Sequence, residues 1–197
     1  SANVIRDLEN IGVQFDKNPD GSFNLGLEGA HSHKRIVGSK GDSSGIEIMR
    51  GLINEVKQSP HITILENVSI DSIMHEDNTI YGVIGRFTDK NIPNNHVVIQ
   101  SSHIVLATGG LGGIFANTTN PRSSYGEGIA LAAQIGATLT DMEFVQFHPT
   151  GIYGSGCLIT EGARGEGGFL SNSQDERFME RYAPNYKDLA PRDYVSR

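Results

Sequence analysis

With 197 residues, 37% of them hydrophobic and 20% charged, the chain has material for one core, or one domain and a half, and is neither a peptide nor a tail. The net charge of −7 has no long single-sign run behind it, which removes nucleic acid and anionic membrane surfaces as partners and leaves anion binding to local cations. The lone cysteine, Cys157, excludes an internal disulfide framework and reads as a small apolar filler, no apolar run approaches a membrane span, and no basic leader opens the chain, so a soluble cytoplasmic protein is expected.

Val4, Ile5, Leu8 and Ile11 recur at helical spacing up to Gly12, which predicts an amphipathic first helix. The Asn18–Gly21 stretch, N-P-D-G, is a strong turn signal and predicts paired extended segments between 13 and 27. A loop follows that holds Glu28, His31, His33, Lys34 and Arg35 within a few residues. Two imidazoles can ligate a metal, but two ligands do not close a coordination shell, and a solvated loop is the simpler reading. Asp42, Ser43 or Ser44 can cap a helix running from about 44 to 57, with Ile46, Met49, Leu52, Ile53 and Val56 as its core-facing stripe and Ser59-Pro60 as its end.

The runs His61–Leu65, Val68–Met74, Thr79–Thr88, Val97–Gln100 and His103–Ala107 all read as strands, the later ones forming a meander on a larger sheet. The D-K-N-I-P-N-N loop between them, 89–95, reads as a tolerant connection without function. Ile104–Gly113 is a buried strand opening into G-G-x-G-G, which lacks the spacing of a dinucleotide fingerprint. A helix of small residues is expected at 129–136, and Asp141–Val145 is expected to be a strand leading into a second region.

The reactive side chains concentrate in Gln146–Gly168, Q-F-H-P-T-G-I-Y-G-S-G-C-L-I-T-E-G-A-R-G-E-G-G. Charged groups among glycines serve a core poorly and suit closure around a small polar anion. Q-F-H-P-T (146–150), T-E-x-x-R-G-E-G (160–167) and the later Arg192-Asp193 stand in the order found in the flavoprotein family of fumarate reductases, succinate dehydrogenases and L-aspartate oxidases, which this segment resembles. The loop E-G-x-H-S-x-x-R at 28–35 is similar to that of the L-aspartate oxidases, whose glutamate faces the substrate amino group.

The resemblance implies an α/β (mixed α+β) fold: the middle of a two-dinucleotide-binding-type FAD domain with a β-meander, and the start of an α+β capping domain. The boundary is expected between 1–141 and 142–197. FAD is the implied cofactor, because no side chain accepts hydride. Gly109 and Gly110 fall where the family's A-T-G-G turn approaches FAD, Val68 and Ser69 near its adenine end, and Glu127 where the family usually has an aspartate in G-D-G. His148 and Thr160 would bind one carboxylate of a small dicarboxylate, L-aspartate, fumarate or succinate, and Glu28 the ammonium that only aspartate carries.

Arg192 would sit against the reacting carbon, with Glu161 and Arg164 completing a relay to solvent. The family's N-terminal G-x-G-x-x-G is missing, as are the residues for the second carboxylate, so the chain is expected to be an internal piece that alone neither holds FAD tightly nor turns over. The expected activity is oxidation of L-aspartate to iminoaspartate, with electrons passing to oxygen or fumarate. A succinate dehydrogenase or fumarate reductase flavoprotein is the alternative, and a scaffold without flavin is the reading from another class.

Overall fold

The computed structural model describes residues 2–89, 91–93 and 95–196, so Lys90 and Asn94 of the tolerant loop lie outside the described residues. Two compact units divide the chain, one of residues 1–63 with 147–197 and one of 64–146.

In the first unit α1 (Ala2–Asn10) ends at Gly12, whose φ of +89° suits a residue without a side chain, and the chain turns inward to bury Val13 and Phe15. The N-P-D-G turn closes through Gly21 N–H to Asn18 O at 2.9 Å, and Lys17 pairs with Phe23 across it. The short strands β1 (Leu25–Gly26) and β2 (Ile36–Val37) pair antiparallel and bracket the loop that carries Glu28.

Helix α2 (Ser44–Gln58) forms where expected, yet its apolar stripe is not core: Ile46 is 75% exposed, and Met49, Leu52 and Ile53 are exposed too. The face turned inward is the one carrying Glu47 and Gly51. A Cβ on Gly51 would come within 2.6 Å of Val13 Cγ2, so the absence of a side chain permits the docking. Burial of Glu47 is offset by Arg50 Nε at 3.0 Å, Gln14 N–H at 3.3 Å and Lys40 Nζ at 3.5 Å. No serine caps α2 through its side chain; the Ser44 hydroxyl accepts Ser39 N–H instead.

From residue 147 onward the first unit is built of single turns. A hairpin pairs Gly151 with Leu158, and α4 (Gly162–Gly165), α5 (Met179–Tyr182), a 3-10 turn at 187–189 and α6 (Arg192–Ser196) follow. Met179, Ala183 and Ala190 form their core, with Leu170, Phe178 and Val195 packed against it. Ala190 holds the chain inward just before Arg192.

The second unit is a meander of β3 (Val68–Glu76), β4 (Thr79–Phe87) and β5 (His96–Gln100), antiparallel in that order. Asp77 and Asn78, both at positive φ, make the two-residue turn that matches strand twist. At Gly82 a Cβ would stand 2.0 Å from Ile99 O, so only glycine lets β4 meet β5 there. Helix α3 (Glu127–Gln134) packs against β3, and each contributes a buried residue, Leu131 and Ile73.

Three expected strands do not form, at 61–65, 103–107 and 141–145. A strand exists through its ladder, and among the described residues nothing pairs with these segments; Val105 is 89% exposed and Phe144 77%. The architecture is a mixed α/β one with antiparallel sheets.

Candidate functional site

The three-residue spacing of Glu161 and Arg164 puts both on one face of the turn that α4 makes. Glu161 Oε1 accepts from Arg164 at 2.8 Å with both side chains buried, and Glu161 Oε2 forms an ion pair with Arg192, Nε lying 3.0 Å away. Arg164 also donates to the carbonyl of Asp188, whose carboxylate accepts Leu170 N–H and Arg177. One carboxylate thus stands between two guanidiniums, and the excess positive charge in a partly desolvated place favours an anion.

His148 lies in the field of the same groups. Burial first, and then the Arg192 guanidinium, push its pKa below the ordinary histidine value; Glu161 opposes them, and Arg164 adds a smaller push downward. The neutral form of the ring is therefore favoured. Its Nε2 is buried without a hydrogen-bond partner, while Nδ1 receives Thr150 N–H at 3.2 Å. Ser196 Oγ of α6 reaches Phe147 O at 3.4 Å, which ties the Arg192 helix to the residue before His148. Thr160 follows the hairpin, and its Oγ1 accepts Gly162 N–H at 3.3 Å, leaving the hydroxyl proton to donate outward.

The Glu28 loop belongs to the same unit. Gly165 comes so close to it that a Cβ would lie 1.9 Å from Leu27 O. Ala30 N–H donates to Leu189 O at 2.9 Å, and a Cβ on Gly29 would be 3.5 Å from Glu161 Oε1. His31 turns back through its N–H to Glu28 O at 3.2 Å, whereas His33 meets only Ser32 on the surface. Among the described residues no three His, Cys, Asp or Glu side chains gather to hold a metal ion.

The residues expected at a flavin lie in the second unit. An open cleft of about 410 Å³ is lined by Leu106, Thr108, Gly109, Gly128 and Thr140 among others, a volume within the range of small-ligand sites. Gly109 has φ +73°, and a Cβ on Gly110 would meet nothing within 4 Å, so bare backbone borders open space, as close approach of a flavin nucleotide requires. Glu127 opens α3 and is exposed, and Val68 and Ser69 open β3; none of the three lines that cleft.

The chain thus carries a carboxylate set between two guanidiniums in one unit and a glycine-bordered cleft in the other, which are features expected of a flavoprotein segment. The chain belongs to the FAD binding domain family, which it matches over residues 1–197, and FAD is that family's cofactor. It is 44% identical over 197 residues to an L-aspartate oxidase of Agrobacterium fabrum, covering 98% of this chain and 36% of the relative. A mitochondrial succinate dehydrogenase (ubiquinone) flavoprotein subunit of Oryza sativa subsp. japonica is 40% identical over 201 residues, covering 98% and 31%. A solved structure of E. coli quinol fumarate reductase superposes with a TM-score of 0.92 at 32% identity, covering 98% and 34%. The chain therefore spans about a third of the length of the relatives it matches.

Sequence reasoning passed over Thr150 and Asp188. Thr150 is legible as a polar residue two positions after a histidine, the spacing of a side-chain-to-backbone turn. Asp188 gives no such signal, because its partners, at 164, 170 and 177, are distant in sequence.

Proposed function

We propose that the chain is part of an FAD-dependent L-aspartate oxidase, forming L-aspartate's carboxylate-binding and proton-handling groups and some of the flavin contacts. The observation that carries this reading is the Glu28 loop bound to the turn before Arg192 and lying against α4. A carboxylate there is complementary to the ammonium of aspartate, and succinate and fumarate offer it nothing. His148 Nε2–H and the Thr160 hydroxyl hold one substrate carboxylate, in a field made positive by Arg164 and Arg192.

When bound, FAD supplies the hydride acceptor. Arg192 orients the substrate and neutralises charge at the reacting carbon, and Glu161, ion-paired with Arg192 and hydrogen-bonded to Arg164, continues inward a chain that would pass a proton. Gly109, Gly110, Glu127, Val68 and Ser69 are assigned to the flavin, with 1–141 as flavin domain and 142–197 as the start of the cap. A cytoplasmic location belongs to the same reading; no helix among the described residues is long and apolar enough to cross a membrane.

The close superposition on fumarate reductase favours a second reading, reduction of fumarate or oxidation of succinate, which uses His148, Thr160 and Arg192 without Glu28. Turnover of the flavin-loaded protein on L-aspartate and on succinate separates the two. In Glu28→Gln, aspartate oxidation is expected to fall at least about 100-fold, with fumarate reduction changed by less than about 3-fold. Equal losses on both substrates would refute the role of Glu28, and a protein that never binds flavin would refute both readings in favour of a scaffold.

A further inference from the structure

We infer that Thr150 is a positioning residue that locks His148 as a neutral imidazole with its proton on Nε2, so that a fixed N–H faces the bound anion. The identity of that anion rests on the dicarboxylate reading above; the lock itself does not.

A backbone N–H points where its peptide plane sends it, and that of Thr150 points at His148 Nδ1 from 3.2 Å. Only a nitrogen with a lone pair can receive it. Thr150 Oγ1 also stands 3.2 Å from Nδ1 and would accept a proton carried there, but that proton would meet the fixed Thr150 amide hydrogen, so the backbone N–H puts the proton of the neutral ring on Nε2. That atom is buried and without a partner in the chain, which leaves it free for a ligand. The groups around the ring work in the same direction: Arg192 on α6 and Arg164 on α4 oppose a second proton, and Glu161 between them only partly compensates.

The Thr150 side chain keeps this amide in place. Its hydroxyl donates to Ile159 O at 2.8 Å, and its own carbonyl accepts Ile159 N–H at 2.8 Å. Thr150 is thus bonded to Ile159 by both side chain and main chain, at the base of the hairpin that pairs Gly151 with Leu158. Thr160 is the next residue. One threonine therefore fixes the tautomer of His148 and the distance from it to Thr160. A neutral N–H donor grips a carboxylate without surrendering a proton, which leaves proton transfer to the Arg192 side.

The test uses the flavin-loaded protein with nitrogen-15 in its histidines, the His148 signals being assigned by their loss in His148→Gln. The wild-type ring is expected to show the neutral Nε2–H tautomer at about pH 7.5. In Thr150→Val that signature should mix with the other tautomer, and KM for aspartate should rise about 5-fold with kcat little changed, as for loss of one hydrogen bond. Thr150→Ser should restore both. An Nδ1–H or imidazolium form in the wild type would overturn the inference, as would Thr150→Val with wild-type signals and KM. The wild-type spectrum alone decides if the valine variant does not fold. A wild-type protein with the expected tautomer that binds neither aspartate nor succinate would defeat the substrate reading and leave the lock standing.

Discussion

Glu161 accepts a hydrogen bond from one guanidinium buried with it and is ion-paired with a second, that of Arg192, which is half-exposed. Removing its charge leaves the buried Arg164 guanidinium with neutral acceptors, the Asp188 carbonyl among them, in place of the counter-ion it is paired with. Glu161→Gln is therefore expected to cost about 3 kcal/mol of stability or more, and to cut turnover as well, read from thermal melts and from kcat. At this scale the sequence was most legible at 160–164 and at 192, where a threonine, a carboxylate and two arginines stand in a recognisable order. It was least legible where a main-chain group does the work. The amide of Thr150 and the carbonyls of Asp188 and Ile159 carry no residue identity, so nothing in their letters announces the role.

Among elements, α2 shows how a pattern can be right about helix and wrong about face. Its periodicity gave the helix, but Gly51 and Glu47 are what dock, because a small gap and a neutralised carboxylate approach Val13 and Gln14 more closely than the apolar stripe does. The hydrogen bond from Arg50 is the largest cause holding Glu47 down from 4.5 to about 2, with the Gln14 amide and Lys40 adding to it. Because the folded value lies below the unfolded one, its stabilising effect is complete above about pH 4.5 and disappears as pH falls toward 2. A Glu47→Gln variant should melt lower at pH 7 and lose less than the wild type on acidification through that window, measured as Tm against pH. Gly165 gives a second prediction. A methyl there must displace Leu27 O, so Gly165→Ala should destabilise by about 1–3 kcal/mol and raise KM for aspartate by moving the Glu28 loop. The meander was readable from alternation and from its turn residues, whereas the segments at 61–65, 103–107 and 141–145 have strand composition without a partner. Composition names what can pair, and pairing needs a second strand.

For the whole molecule, large apolar side chains meet solvent in both units, on α2 in one and at Val105 and Phe144 in the other, and such exposed side chains are where dyes and other proteins attach. Residues 1–197 purified alone should bind a hydrophobic dye, self-associate on gel filtration and be colourless, whereas a form spanning the length of the relatives should be yellow and bind little dye. A yellow, monomeric 1–197 would contradict this. The mixed α/β architecture was legible in outline from the sequence, but the division into units was not, since residues 1–63 join residues 147–197 across an intervening stretch that no local pattern reports. The bond from Ala30 to Leu189 has a consequence of its own. It harnesses the loop that would choose the substrate to the turn that would deliver the reactive arginine. A descendant that exchanges residue 28 to accept a new diet would shift its chemistry in the same stroke, so appetite and speed in this lineage should drift together.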